Sequence, residues 1–74
     1  MKRTNTGTVE PHGIKENETK IKILNAAKKI FSEYPYHTAS IRMIGETAGL
    51  NFPLVAYYFS SKAALFEAVL DDLS

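Results

Sequence analysis

The stretch SIRMIGETAGLNFPLVAYYF, residues 40–59, decides the fold. Ser40 offers a hydroxyl to cap a helix over residues 41–48, in which Ile41, Ile44 and Ala48 fall on one face. Gly49 follows as a stop able to take a left-handed conformation, and Asn51, two residues on, is a fresh cap. The connection is therefore very tight. Pro53 falls in the first turn of the next helix, where its missing N–H costs nothing, and the apolar pattern continues through Val55 and Phe59. Two short helices about a glycine turn, buttressed by a longer helix, make a helix-turn-helix. The turn sets the pair at a steep angle, so the second helix can enter the roughly 12 Å major groove while the first holds against the backbone. Small residues are needed where the helices cross. Gly45 and Ala48 meet that need, although Gly45 gives up about 1 kcal/mol of helix propensity relative to alanine. An ordinary helical hairpin with a glycine cap has the same local pattern, so this stretch alone leaves both arrangements open.

Upstream, Ile21, Leu24, Ala27, Ile30, Phe31 and Tyr34 recur at three- and four-residue intervals, with lysines and Glu33 largely between them. This predicts an amphipathic helix capped by Asn17 or Thr19 and ended by Pro35, which forces Tyr34 out of the helical region. Residues 1–16, with Gly7, Pro11 and Gly13 among polar residues, have neither helical nor alternating periodicity and are expected to form a disordered, flexible arm. Downstream, Ser60 or Ser61 caps a fourth helix with Ala64, Leu65, Ala68, Val69 and Leu73 along one stripe. The expected fold is all-α: a three-helix, homeodomain-like helix-turn-helix bundle with the start of a fourth helix, over residues 17–74. Ile23, Leu24, Ala27, Ile30, Phe31, Ile41, Ile44, Val55, Phe59, Leu65 and Phe66 are its expected core.

Composition limits the function. Seventy-four residues with 45% hydrophobic side chains hold one small core. Absence of cysteine removes disulfides, thiolate chemistry and any zinc site that needs thiolates. His12 and His37 have no partner at ligand spacing and no catalytic constellation around them, so neither metal, cofactor nor enzymatic activity is expected. No apolar run approaches the roughly 20 residues of a membrane span, which places the chain in the cytoplasm as an expectation. The net charge of +1 averages three unlike segments. Residues 1–18 sum to zero. Residues 19–62 carry +4, from Lys20, Lys22, Lys28, Lys29, Arg42 and Lys62 against Glu33 and Glu46, and residues 63–74 carry −3, from Glu67, Asp71 and Asp72. Screening confines each charge to about 10 Å, so the basic middle can attract a polyanion although the whole chain is near neutral. The same lysines can also simply solvate a helix.

Thr19, Ile23-Leu24, Ala26-Ala27 and Phe31, then Ile44, Ala48-Gly49-Leu50-Asn51, Tyr57, Phe59, Ser61-Lys62 and Leu65, closely resemble in order and spacing the N-terminal DNA-binding domain of the TetR family of transcriptional repressors. The resemblance covers residues 19–70. It implies sequence-specific binding of double-stranded DNA, with residues 52–59 as the recognition helix and Asn51, Phe52, Pro53, Leu54, Ala56, Tyr57 and Tyr58 at or near the DNA. Arg42 falls where members present a base-reading or phosphate-binding side chain, and its fork can bond O6 and N7 of guanine, worth about 1–3 kcal/mol of discrimination. Lys62 matches the family's phosphate-contacting lysine, with the helix N-terminus acting on the same phosphate. The resemblance makes Tyr57 a hydroxyl donor to phosphate, whereas Tyr58 is open between backbone contact and packing, with packing favoured.

Departures from the family pattern matter too. Pro53 stands where many members have glycine, Ala56 where they have tyrosine, and Pro35 replaces a usual glycine in the loop. Phe52, Pro53 and Leu54 read thymine methyls or nothing, so specificity would lean on Arg42, thymine contacts and DNA shape. Lys2 and Arg3 are candidates for an arm that follows phosphates or a minor groove. Family members continue into a helical domain that dimerises and binds a small-molecule effector. This chain is therefore expected to be a fragment without the effector and dimerisation domain, monomeric alone. The full protein would be a homodimer on a palindromic operator. The rival reading is a small helical protein-interaction module using an apolar patch of Phe52, Leu54 and Tyr57.

Overall fold

The computed structural model describes residues 12–74, with side chains from residue 16 onward. Four helices make up the regular structure there: α1 (His12–Glu33), α2 (Ile41–Ala48), α3 (Phe52–Tyr58) and α4 (Lys62–Leu73). The fold is all-α, as the periodicity predicts. α1 begins five residues before the expected boundary at Asn17, so Asn17 and Thr19 lie inside the helix and not at its cap. The spacings Glu16 to Lys20 and Glu18 to Lys22 favour helix from residue 16 onward. Each pair sets a carboxylate one turn before an ammonium, the favourable order on a helix. The rest of the expected arm, residues 1–11, lies outside the described residues.

The other boundaries follow their local chemistry. α1 stops ahead of Pro35, whose carbonyl accepts from the amides of Thr38 (2.9 Å) and Ala39 (3.0 Å) and so turns the chain toward α2. Ser40 caps α2, its Oγ accepting from the Met43 amide at 3.1 Å. Gly49 ends α2 at φ 76°, ψ 27°, a left-handed conformation that an L side chain resists. Asn51 then caps α3 through Oδ1 to the Leu54 amide at 2.9 Å, and Ser61 caps α4 through Oγ to the Ala64 amide at 3.0 Å. Of the two serines offered by the sequence, Ser61 holds the cap.

Ile23, Ala26, Ala27 and Ile30 of α1, Ala39 of the loop, Ile44 of α2, Val55 of α3, and Leu65 and Val69 of α4 form the buried core. Leu24, Phe31, Ile41 and Phe59, expected in that core, lie half-buried around it, and Phe66 is half-buried too. Ala26, Ala39 and Val69 are buried in addition to the residues expected. A chain this short has more surface than its apolar residues can escape, so the larger side chains form an outer layer over a small centre. Ile21 is exposed because it sits two residues, about 200° of helical rotation, from buried Ile23. Tyr34, beyond the last residue of α1, is exposed as well.

Candidate nucleic-acid interface

Val55 is the anchor of α3. It is fully buried against the α2 crossing, and a Cβ built on Gly45 would stand 3.3 Å from its Cγ2 and 3.1 Å from the Leu50 carbonyl oxygen. The glycine lets the two backbones approach, as its placement in the sequence requires. With Val55 inward, α3 turns Phe52 (42% exposed) and Tyr57 (75% exposed) outward. Asn51 and Pro53 are exposed, and Leu54 and Ala56 are half-buried. Seven residues of helix are about 10 Å long, a length suited to a groove about 12 Å wide.

The residues singled out in the sequence form three separate groupings. Arg42, exposed in the first turn of α2, holds its guanidinium carbon 5.2 Å from the centroid of the Phe52 ring, which brings the cation to the start of α3. Stacking on a ring leaves the edge donors of the guanidinium free for a planar acceptor. Tyr57 and Tyr58 meet edge to face, centroids 5.1 Å apart, with Tyr58 half-buried against the core. Packing is thus the visible role of Tyr58. Asn51 commits Oδ1 to its cap.

Lys62 forms the third grouping, with the loop before α2. Its ammonium donates to the Tyr36 carbonyl at 2.7 Å and to the Ala39 carbonyl at 3.0 Å, and lies 4.4 Å from the centroid of the Tyr36 ring. Tyr36 in turn meets Phe31 and Phe66, with centroids at 5.9 and 5.1 Å. Sequence reasoning missed Tyr36, and no local signal marks it, because its partner is 26 residues away.

Elsewhere, Lys29 is raised from its ordinary pKa by the hydrogen bond it donates to Glu33 (2.9 Å) and by that carboxylate's charge, so it stays cationic. Among the described residues no group of three or more histidines, cysteines or carboxylates is placed to hold a metal ion, and no helix is long and apolar enough to cross a membrane.

The family model of the bacterial regulatory proteins, tetR family, matches residues 23–69, which takes in the α1 core face, the helix-turn-helix and most of α4. The chain belongs to the TetR family. This TetR-family DNA-binding domain is 38% identical over 52 residues to the HTH-type transcriptional regulator UidR of Escherichia coli (strain K12), covering 70% of this chain and 26% of that protein. The UidR of Shigella flexneri matches with the same figures. The HTH-type transcriptional regulator RutR of Escherichia coli (strain K12) is 44% identical over 48 residues, 65% of this chain and 23% of its own. The TetR-family chain thus spans about a quarter of the length of the curated relatives it matches. No solved structure matches it significantly.

Proposed function

We propose that this domain is the operator-reading part of a TetR-type repressor, binding duplex DNA with α3 in the major groove. The observation that carries the reading is the composite edge made by α2 and α3, where the Arg42 guanidinium rests on Phe52 and Tyr57 stands exposed at the other end of α3. Arg42 supplies donors to a guanine edge, Phe52, Pro53 and Leu54 offer apolar contact to thymine methyls, and the Tyr57 hydroxyl donates to phosphate. Ala56 and Asn51 flank this edge, and Tyr58 supports it from the packed side. In the full-length protein the domain acts as one half of a homodimer on a palindromic cytoplasmic operator, with half-sites roughly 34–36 Å apart and release governed by a small-molecule effector. No catalysis and no cofactor enter this function.

Exposed Phe52 and Tyr57 also favour one other reading, an apolar docking patch for a partner helix. Salt separates the two. Binding of the chain to a mixed-sequence duplex, followed by amide-resolved NMR at low and moderate salt, is expected to shift Arg42 and residues 52–58 and to weaken steeply as salt rises. No shift in that segment at low salt would refute the reading that this chain by itself binds DNA through α3.

A further inference from the structure

Lys62 is held by groups that carry no charge. Its ammonium donates to the carbonyls of Tyr36 (2.7 Å) and Ala39 (3.0 Å), and the centroid of the Tyr36 ring lies 4.4 Å from the nitrogen, within reach of a cation–π contact. Lys28 and Lys29, by contrast, are paired with the carboxylates of Asp72 and Glu33. Among the described residues no carboxylate forms an ion pair with Lys62. Carbonyl dipoles and a ring quadrupole fix an ammonium in place without cancelling its charge, and the two carbonyls use two of its three protons. One proton and the whole positive charge remain for an anion.

Tyr36 supplies two of the three holding groups, and its own place is fixed by two helices. Its ring stacks with Phe31 of α1 at 5.9 Å and meets Phe66 of α4 edge to face at 5.1 Å, while those two rings meet each other at 5.0 Å. The ring is therefore set before any ligand arrives. An unrestrained lysine gives up rotamer freedom when a ligand orders it, and a restraint built into the fold removes that cost from the binding step. We propose that Tyr36 is a positioning residue for Lys62: its ring and its carbonyl hold the ammonium ready, with the charge uncancelled, for a DNA phosphate. The proposal rests on the DNA-binding reading above, and Tyr36 acts in it through Lys62.

The test is fluorescence anisotropy on a mixed-sequence duplex at low salt, comparing the unaltered chain, Tyr36→Leu, Lys62→Met and the double variant. Tyr36→Leu should weaken binding about two- to tenfold where Lys62 is present and leave it unchanged where methionine has replaced it. Tyr36→Phe, which keeps the ring face, should bind like the unaltered chain. A packing role alone costs the same in both backgrounds, so an equal effect in the two, none included, overturns the proposal. Lys62→Met should also make the slope of log affinity against log salt shallower by about 0.9. An unchanged slope takes the phosphate away from Lys62 and overturns the proposal too. If a variant does not fold, NMR of the unaltered chain decides. The Lys62 Cε protons should be shifted by the ring in the free chain and remain so on the duplex, while the Nζ signal moves as DNA is added. Unshifted Cε protons in the free chain, a ring shift lost on the duplex, or an Nζ signal that the duplex leaves unmoved overturns it. Absence of any binding by the unaltered chain at low salt overturns the reading that it binds DNA by itself, and the proposal with it.

Discussion

A missing methyl group decides how closely α2 approaches α3. At Gly45 a Cβ would stand 3.1 Å from the Leu50 carbonyl oxygen, and that oxygen belongs to the backbone of a turn whose amide already bonds to Gly45. It has little room to retreat. Gly45→Ala gains about 1 kcal/mol of helix propensity, but overpacking of this kind costs about 1–3 kcal/mol. We expect a net loss of about 1 kcal/mol in urea unfolding; a variant more stable than the parent would mean that the turn relaxes freely. The second residue-scale feature is the stack of Arg42 on Phe52, a contact worth about 0.5–1 kcal/mol at an exposed site. A double-mutant cycle on stability with Arg42→Ala and Phe52→Ala should return a coupling of that size. Strict additivity would show that the guanidinium does not rest on the ring. The cysteine-free composition was legible at this scale, because residue identity alone settles it. The Arg42 stack was not, because the two residues are ten apart and meet only after the turn closes.

At the scale of elements, three helices share one device, a side-chain oxygen accepting from the amide three residues on, at Ser40, Asn51 and Ser61. The device matters most for α3, which has seven residues and one fully buried anchor, Val55. Helices this short do not persist on propensity alone. Asn51→Ala should cost about 1 kcal/mol of stability and should fray α3 first, raising exchange of the Leu54 and Val55 amides ahead of those of α1. Uniform exchange across the chain would contradict that local role. These caps were readable because a cap involves only four consecutive residues. The start of α1 was less legible: Gly13 and the polar composition suggest a loop, and the Glu16–Lys20 and Glu18–Lys22 spacings favour helix only from residue 16, whereas α1 begins at His12.

On the scale of the whole molecule, one small core joins all four helices. Leu65, fully buried, brings α4 to a centre shared with Ile23, Ala27, Ile44 and Val55. A domain of this size has roughly 4–10 kcal/mol of total stability, and Leu→Ala in a core removes about 2–5 kcal/mol. Leu65→Ala should therefore lower the thermal midpoint by tens of degrees or abolish the cooperative transition in calorimetry. A shift of only a few degrees would mean that α4 is peripheral. The charge segments also separate along α4. Its start holds Lys62 against the loop, while Asp72, about 15 Å further along the helix, pairs with Lys28 of α1. At that distance, beyond a Debye length, the acidic end does little to the field around Lys62.

By itself the sequence determined the class of fold, the tight turn, the caps of α2, α3 and α4, and the family, because each depends on residues within a few positions of one another. Gly49 needs only its own φ, and Asn51 only the amide three residues ahead. Tertiary structure alone decided which apolar residues are wholly buried, that Arg42 rests on Phe52, and that Lys62 reaches Tyr36 and Ala39. Those outcomes depend on how α1 and α4 pack around the helix-turn-helix. The packing brings together groups ten to 26 residues apart in the chain, and neither periodicity nor spacing carries information about such a meeting.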